Sequence, residues 1–255
     1  MDAQRTAELT SELNTTAERF WAAEASIARA FFSRPRRADE HARWLRVQVF
    51  KEMYGSGLFP GSGGIIMEMI EGLRERLDGV RTVADRAEFE RDVRVLREEF
   101  THYRLFADAL EEITGESMDR ASIKGWQPAQ DMRLAQVRRA CRERDARLGG
   151  LAVGFTEGGG SSLFSEGRKA KGGPADERAA QACEVVYQDE REHAEHGASG
   201  LVADLATEAE WASVLGMLGE VCEQRLRMRA EMFGLPLDEA WVKGVASGAS
   251  GPYAG

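Results

Sequence analysis

Six prolines, Pro35, Pro60, Pro128, Pro174, Pro236 and Pro252, stand between long runs rich in Ala, Arg, Glu, Leu and Met. A proline inside a helix removes a backbone hydrogen bond and clashes with the preceding turn, at about 3 kcal/mol or more. Its confinement to the intervals marks those intervals as breaks. The runs between them are made of good helix formers. No segment alternates apolar and polar residues between turn signals, as a half-buried strand must. The sequence predicts an all-α chain with helices over 8–33, 38–54, 63–78, 84–114, 129–168, 175–204 and 207–233. GESMDRASIKGWQP and EGRKAKGGP read as linkers. Residues 1–242 are expected to form a single helical domain, and the small, polar stretch 243–255 a flexible C-terminal tail.

The formal charge of the 255-residue chain is −9, which argues against non-specific binding to nucleic acid or to an anionic membrane. No run reaches the roughly 18 apolar residues of a membrane span. The start, MDAQRTAELTSEL, lacks the basic and apolar regions of a signal peptide. Cys141, Cys183 and Cys222 are odd in number and far apart, which speaks against both a disulfide framework and a zinc site. The expectation is a cytoplasmic protein with free thiols.

Two of the four histidines sit in VYQDEREHAEH, three residues apart among acids. The pattern there, Asp189-Glu190-x-x-His193, has a second copy in Glu98-Glu99-x-x-His102. Positions i and i+3 share a helix face, so each copy presents a carboxylate and an imidazole together. Each copy also falls on an apolar stripe, Val95, Glu99, His102, Phe106 in one case and Val186, Glu190, His193, Leu201 in the other. A Glu on a buried stripe is costly unless something pairs with it, and a divalent cation would. An antiparallel hairpin opposes positions equidistant from its turn. Glu68 then faces Glu99 and Glu157 faces Glu190, at separations of 31 and 33 residues.

One Glu from each of two helices, with Glu-x-x-His from each of two others, is the ligand set of di-metal carboxylate bundles. On these residues, over about 63–204, the sequence resembles the ferritin-like diiron-carboxylate superfamily. The resemblance implies a ferritin-like four-helix bundle core with about three additional helices. It implies Glu68, Glu99, His102, Glu157, Glu190 and His193 as ligands of two Fe ions, with Mn possible, and O2 as co-substrate. Asp189, and likewise Glu98, would hydrogen-bond a ligand His and fix its tautomer. Glu71 and Glu24 are rivals to Glu68, since Phe20, Glu24, Ile27 and Phe31 share a stripe. The sequence also resembles the heme-oxygenase-like diiron proteins, where Asp189, His193 and His196, at i, i+4 and i+7, would serve. His196 is otherwise an exposed residue, and His41, beside Asp39 and Glu40, is expected at the surface.

Gly158, Gly159 and Gly160 follow Glu157 directly. Each costs a helix about 1 kcal/mol relative to alanine. They either break the helix or leave room beside the metals for dioxygen or substrate. Phe106 stands one turn beyond His102, and Phe100, Phe106, Phe155 and Phe164 suggest a partly apolar cavity. The arginines of 133–147 read as a solvated face. The resemblance points to an oxidase or monooxygenase acting on a small organic substrate, supplied by an electron donor. Trp21, Trp44 and Trp211, outside the core, could roof a pocket or form a homodimer face. The other readings are an iron-handling protein (ferroxidase, storage or peroxide detoxification) and a metal-free helical interaction module.

Overall fold

The computed structural model describes residues 1–55, 63–156, 158–201 and 205–254, with the backbone alone over 191–201. The described residues are all-helical, without a strand. Among them no helix is long and apolar enough to cross a membrane. In chain order the helices are α1 (Ala3–Phe32), α2 (Ala38–Tyr54), α3 (Ile65–Leu77), α4 (Val83–Thr114), α5 (Arg120–Lys124), α6 (Ala129–Arg144), α7 (Ala146–Gly154), α8 (Gly158–Gly167), α9 (Pro174–Leu201), α10 (Glu208–Phe233) and α11 (Glu239–Ser247). Two compact units share them. An inserted unit, Ala38–Gln127, holds α2 to α5, and a discontinuous unit, Met1–Arg37 with Pro128–Gly255, holds the rest.

The helix ends follow local chemistry. Thr82 and Asp85 form a reciprocal capping box at the start of α4, and Thr207 and Glu210 form another on α10. Both helices stop at a glycine in the left-handed region, Gly115 at φ 73° and Gly234 at φ 65°. Pro174 occupies the first position of α9, where its missing N–H costs nothing.

The helix predicted over 129–168 is three helices. At Asp145 the backbone turns extended, with φ −157° and ψ 116°, and its carboxylate accepts the N–H of Leu148 to cap α7. The chain then doubles back so closely that a Cβ on Gly149 would lie 2.5 Å from the Cys141 carbonyl oxygen. A second break separates α7 from α8. Here Thr156 Oγ1 donates to Val153 O at 2.7 Å. The 115–128 linker also contains a turn of helix, α5, capped by Asp119.

In the discontinuous unit, α1 and α10 are the central pair. Leu13, Phe20, Ile27 and Phe31 from α1 and Val214, Leu218, Val221 and Leu226 from α10 are fully buried. Phe31 stacks on Phe233 with centroids 4.6 Å apart. The C-terminal stretch makes several contacts in this unit. α11 buries Val242 and Val245, Tyr253 N donates to Ser26 Oγ at 3.0 Å, and the Tyr253 ring stands edge-on to Trp241. All three cysteines are buried and none is in a disulfide.

In the inserted unit, α2 packs along the C-terminal half of α4. Trp44, Leu45 and Val49 of α2 are buried, as are Phe106, Ala109 and Leu110 of α4, and Trp44 meets Phe106 edge-on. The N-terminal half of α4 pairs with α3, which buries Ile66 alone. Phe100 is 48% exposed, so it lies at the surface and does not line an apolar cavity.

The crossing at Gly149 gives a paired prediction. Gly149→Ala should cost about 1–3 kcal/mol, because the clash is with backbone that cannot rotate away. Gly150, with nothing within 4 Å of its added Cβ, should tolerate alanine or gain about 0.5–1 kcal/mol. Urea unfolding of the two variants measures both.

Candidate metal centre

Within the inserted unit three groups able to hold a cation come together: Glu52 from α2, and Glu99 with His102 from α4. One ligand atom from each lies within 4.8 Å of the other two. The antiparallel pairing of α2 and α4 produces the cluster. Trp44 meets Phe106 edge-on at 5.9 Å between centroids, and two turns along α2 Glu52 meets Glu99 and His102. His102 is wholly buried, while both carboxylates are half-buried. Gln48, one turn before Glu52 and 4% exposed, donates its Nε2 to Glu52 Oε1 at 2.5 Å.

Donors bound to one first-row cation at about 2.0–2.2 Å stand about 3 Å apart. A modest closure of side chains therefore brings these three onto an ion. Two oxygen donors and an imidazole suit iron, manganese or zinc. Two neighbouring carboxylates in a partly dry site repel each other, and a dication removes that repulsion.

The residues named from the sequence divide as follows. Glu99 and His102 stand together. Glu68 and Glu71 do not join them, because both are exposed on α3. Ile66 points to the interior, and Glu68, two residues on at about 100° per residue, lies round the far side. Glu98 is partly exposed, with Arg94 Nε 3.9 Å from its carboxylate. Phe106 is completely buried against Trp44, so it fills space and does not open a pocket. His41 is buried, contrary to the surface position expected. Its Nδ1 accepts the Trp44 indole N–H at 3.0 Å.

The second motif belongs to the discontinuous unit. Asp189 and Glu190 are half-buried on α9. Glu157 and the side chains of His193 and His196 lie outside the described residues. The glycines beside Glu157 do not provide the room expected of them. A Cβ on Gly158 would sit 2.6 Å from the Trp21 ring, and one on Gly159 would collide with the Glu24 carboxylate and Arg225. Those side chains already occupy the space, and the glycines let α8 approach α1. Gly160 faces Glu190, whose Oε2 would lie 3.5 Å from an added Cβ.

Glu24 itself is committed to arginine. Its Oε1 accepts from Arg225 Nε at 2.7 Å, and its Oε2 from Arg225 Nη2 at 2.9 Å and Arg229 Nε at 3.0 Å. All three residues are buried. Burial pushes the Glu24 carboxyl upward, but the fields of Arg225 and then Arg229, with their hydrogen bonds, outweigh it and hold the group below the ordinary carboxylate range. Arg138, expected on a solvated face, is half-buried. Burial, reinforced by the field of Arg225, pulls its guanidinium down to about 10. Arg144 and Arg147 of the same run do reach outward, to Glu220 and Glu210 of α10.

Glu24→Gln should destabilise the chain by about 3–5 kcal/mol at neutral pH, since it strands buried arginines. The depressed folded value fixes the pH dependence. The contribution of ionised Glu24 is fully present above the unfolded value of about 4.3 and disappears as pH falls through the lower folded value. Denaturant titrations of wild type and variant should differ most near pH 7 and converge in acid.

The chain matches no family model, no curated protein and no solved structure.

Proposed function

We propose that the chain is a non-heme iron oxidase or monooxygenase, with one metal position formed by Glu52, Glu99 and His102. The observation that carries this reading is the convergence of those three groups from two helices, with the imidazole fully buried. A solvated surface cluster would have no reason to bury its histidine. Three protein donors leave coordination positions open, as catalysis requires and a closed structural site does not. Carboxylate-rich ligation with imidazole favours iron or manganese over the thiolate sites typical of structural zinc.

Iron held by these residues would supply the activation of dioxygen. The chain's own residues do the rest. The Glu99 and His102 pair is set by one turn of α4, and Gln48 fixes the Glu52 carboxylate by a hydrogen bond. Trp44 and Phe106 close the interior side against water. The second acid-Glu-x-x-His copy, Asp189, Glu190 and His193, adds another donor set to the sequence and supports two irons per chain. With it, the ferritin-like carboxylate family remains the closest chemical analogy, and Asp189, His193 and His196 keep the heme-oxygenase-like variant in play. A small organic substrate and an electron donor complete the proposal.

Anaerobic loading with Fe(II), followed by metal analysis and oxygen-uptake measurements across a panel of small acids, amines and alcohols, tests it. About two irons per chain should bind, and one panel member should raise oxygen uptake. Glu52→Ala should weaken binding at one position by at least the roughly 10–100-fold that loss of an outer partner costs. Glu68→Ala should change nothing. Retention of many irons per chain would instead indicate an iron-handling protein, and no retention would end the metal reading.

A further inference from the structure

Gln48 holds an arrangement that the metal ligands alone do not explain. The residue is only 4% exposed. Its amide nitrogen is spent on Glu52 Oε1. Its Oε1 is buried, and no donor among the described residues reaches it. Reversing the amide gives no relief, because an oxygen would then face the Glu52 carboxylate, acceptor against acceptor. A buried amide oxygen left in this state keeps its desolvation penalty without a compensating bond. A leucine or methionine would pack the same stripe between Trp44 and Glu52 without that cost. The oxygen belongs to the amide whose nitrogen holds Glu52, one of the three members of the cluster.

On the metal reading just given, the missing donor has an identity. A cation held by only three protein groups carries water in its open positions, and the charge of the ion makes that water a strong hydrogen-bond donor. We infer that Gln48 is a positioning residue with two tasks: its Nε2 fixes the orientation of Glu52, and its Oε1 accepts a proton-bearing bond from water bound to the cation at Glu52, Glu99 and His102. The same amide therefore couples one ligand to the exchangeable position. Partners of this kind typically change metal affinity 10–100-fold when removed.

A structural role and this role predict opposite patterns. Titration calorimetry with Mn(II) on the full chain, with thermal unfolding of the metal-free protein, separates them. Gln48→Met conserves volume and deletes both the donor and the stranded oxygen. Metal-free Gln48→Met should unfold at or above the wild-type temperature, while binding Mn(II) about 10–100-fold more weakly. Gln48→Glu gives a second, independent comparison. It places a third carboxylate beside Glu52, so the metal-free protein should lose stability, yet Mn(II) should bind at least as tightly as to wild type and raise its unfolding temperature more. Equal Mn(II) affinity in wild type, Gln48→Met and Gln48→Glu overturns the role of Gln48 while leaving the cation site intact, provided Glu52→Ala still weakens Mn(II) binding at one position. Failure of wild type itself to bind Mn(II) overturns both.

Discussion

A carboxylate withdrawn from water costs several kilocalories per mole unless positive charge meets it. An all-helical chain with acids on its apolar stripes must solve that problem wherever the stripes close. This protein shows one solution completed with its own side chains. Glu24, facing inward from α1, is met by Arg225 and Arg229 from α10, and the three lock the central helix pair of the discontinuous unit. In the inserted unit Glu52 and Glu99 come together across α2 and α4, with the Gln48 amide and His102 among the groups beside them. On the proposed metal reading, a divalent cation would join them there.

The two clusters also differ in geometry, and the difference bears on function. The Glu24 pair is bidentate, with hydrogen bonds of 2.7 and 2.9 Å to one guanidinium, an arrangement that fixes orientation and leaves no open position. In the Glu52, Glu99 and His102 group, one ligand atom from each lies within 4.8 Å of the other two. They are presented by long helices whose far layer, Trp44 against Phe106, is fully packed. Sites built on helices are held more tightly than sites on loops. The half-buried carboxylates keep access to one side.

Much of this was legible in the residues. Proline placement and composition gave the helices and most of the breaks, since both reflect local backbone energetics. The exception was 129–168, where good helix formers run through Asp145. A capping aspartate looks like any other charged residue until the chain turns at it. Glu99 and His102 were legible because i and i+3 spacing is a property of one helix. Glu52 was not, because finding it requires knowing that the second half of α4 packs on α2 and not on its hairpin partner α3. One signal was available: Trp44, Gln48 and Glu52 recur every four residues, carrying polar groups down an apolar stripe. The glycines after Glu157 were a signal of close approach rather than of open space, and only the positions of Trp21 and Glu24 distinguish the two. His41 was assigned to the surface by its acidic neighbours, and its packing with Trp44 overrode them.

The central claim is that Glu52, Glu99 and His102 hold one cation together. Anomalous diffraction from crystals soaked in Fe(II) or Mn(II) tests it most directly. The account predicts a strong peak within about 2.0–2.3 Å of an oxygen from each carboxylate and a nitrogen of His102. A peak bonded elsewhere while these three groups stand apart, or no peak at all, would contradict it.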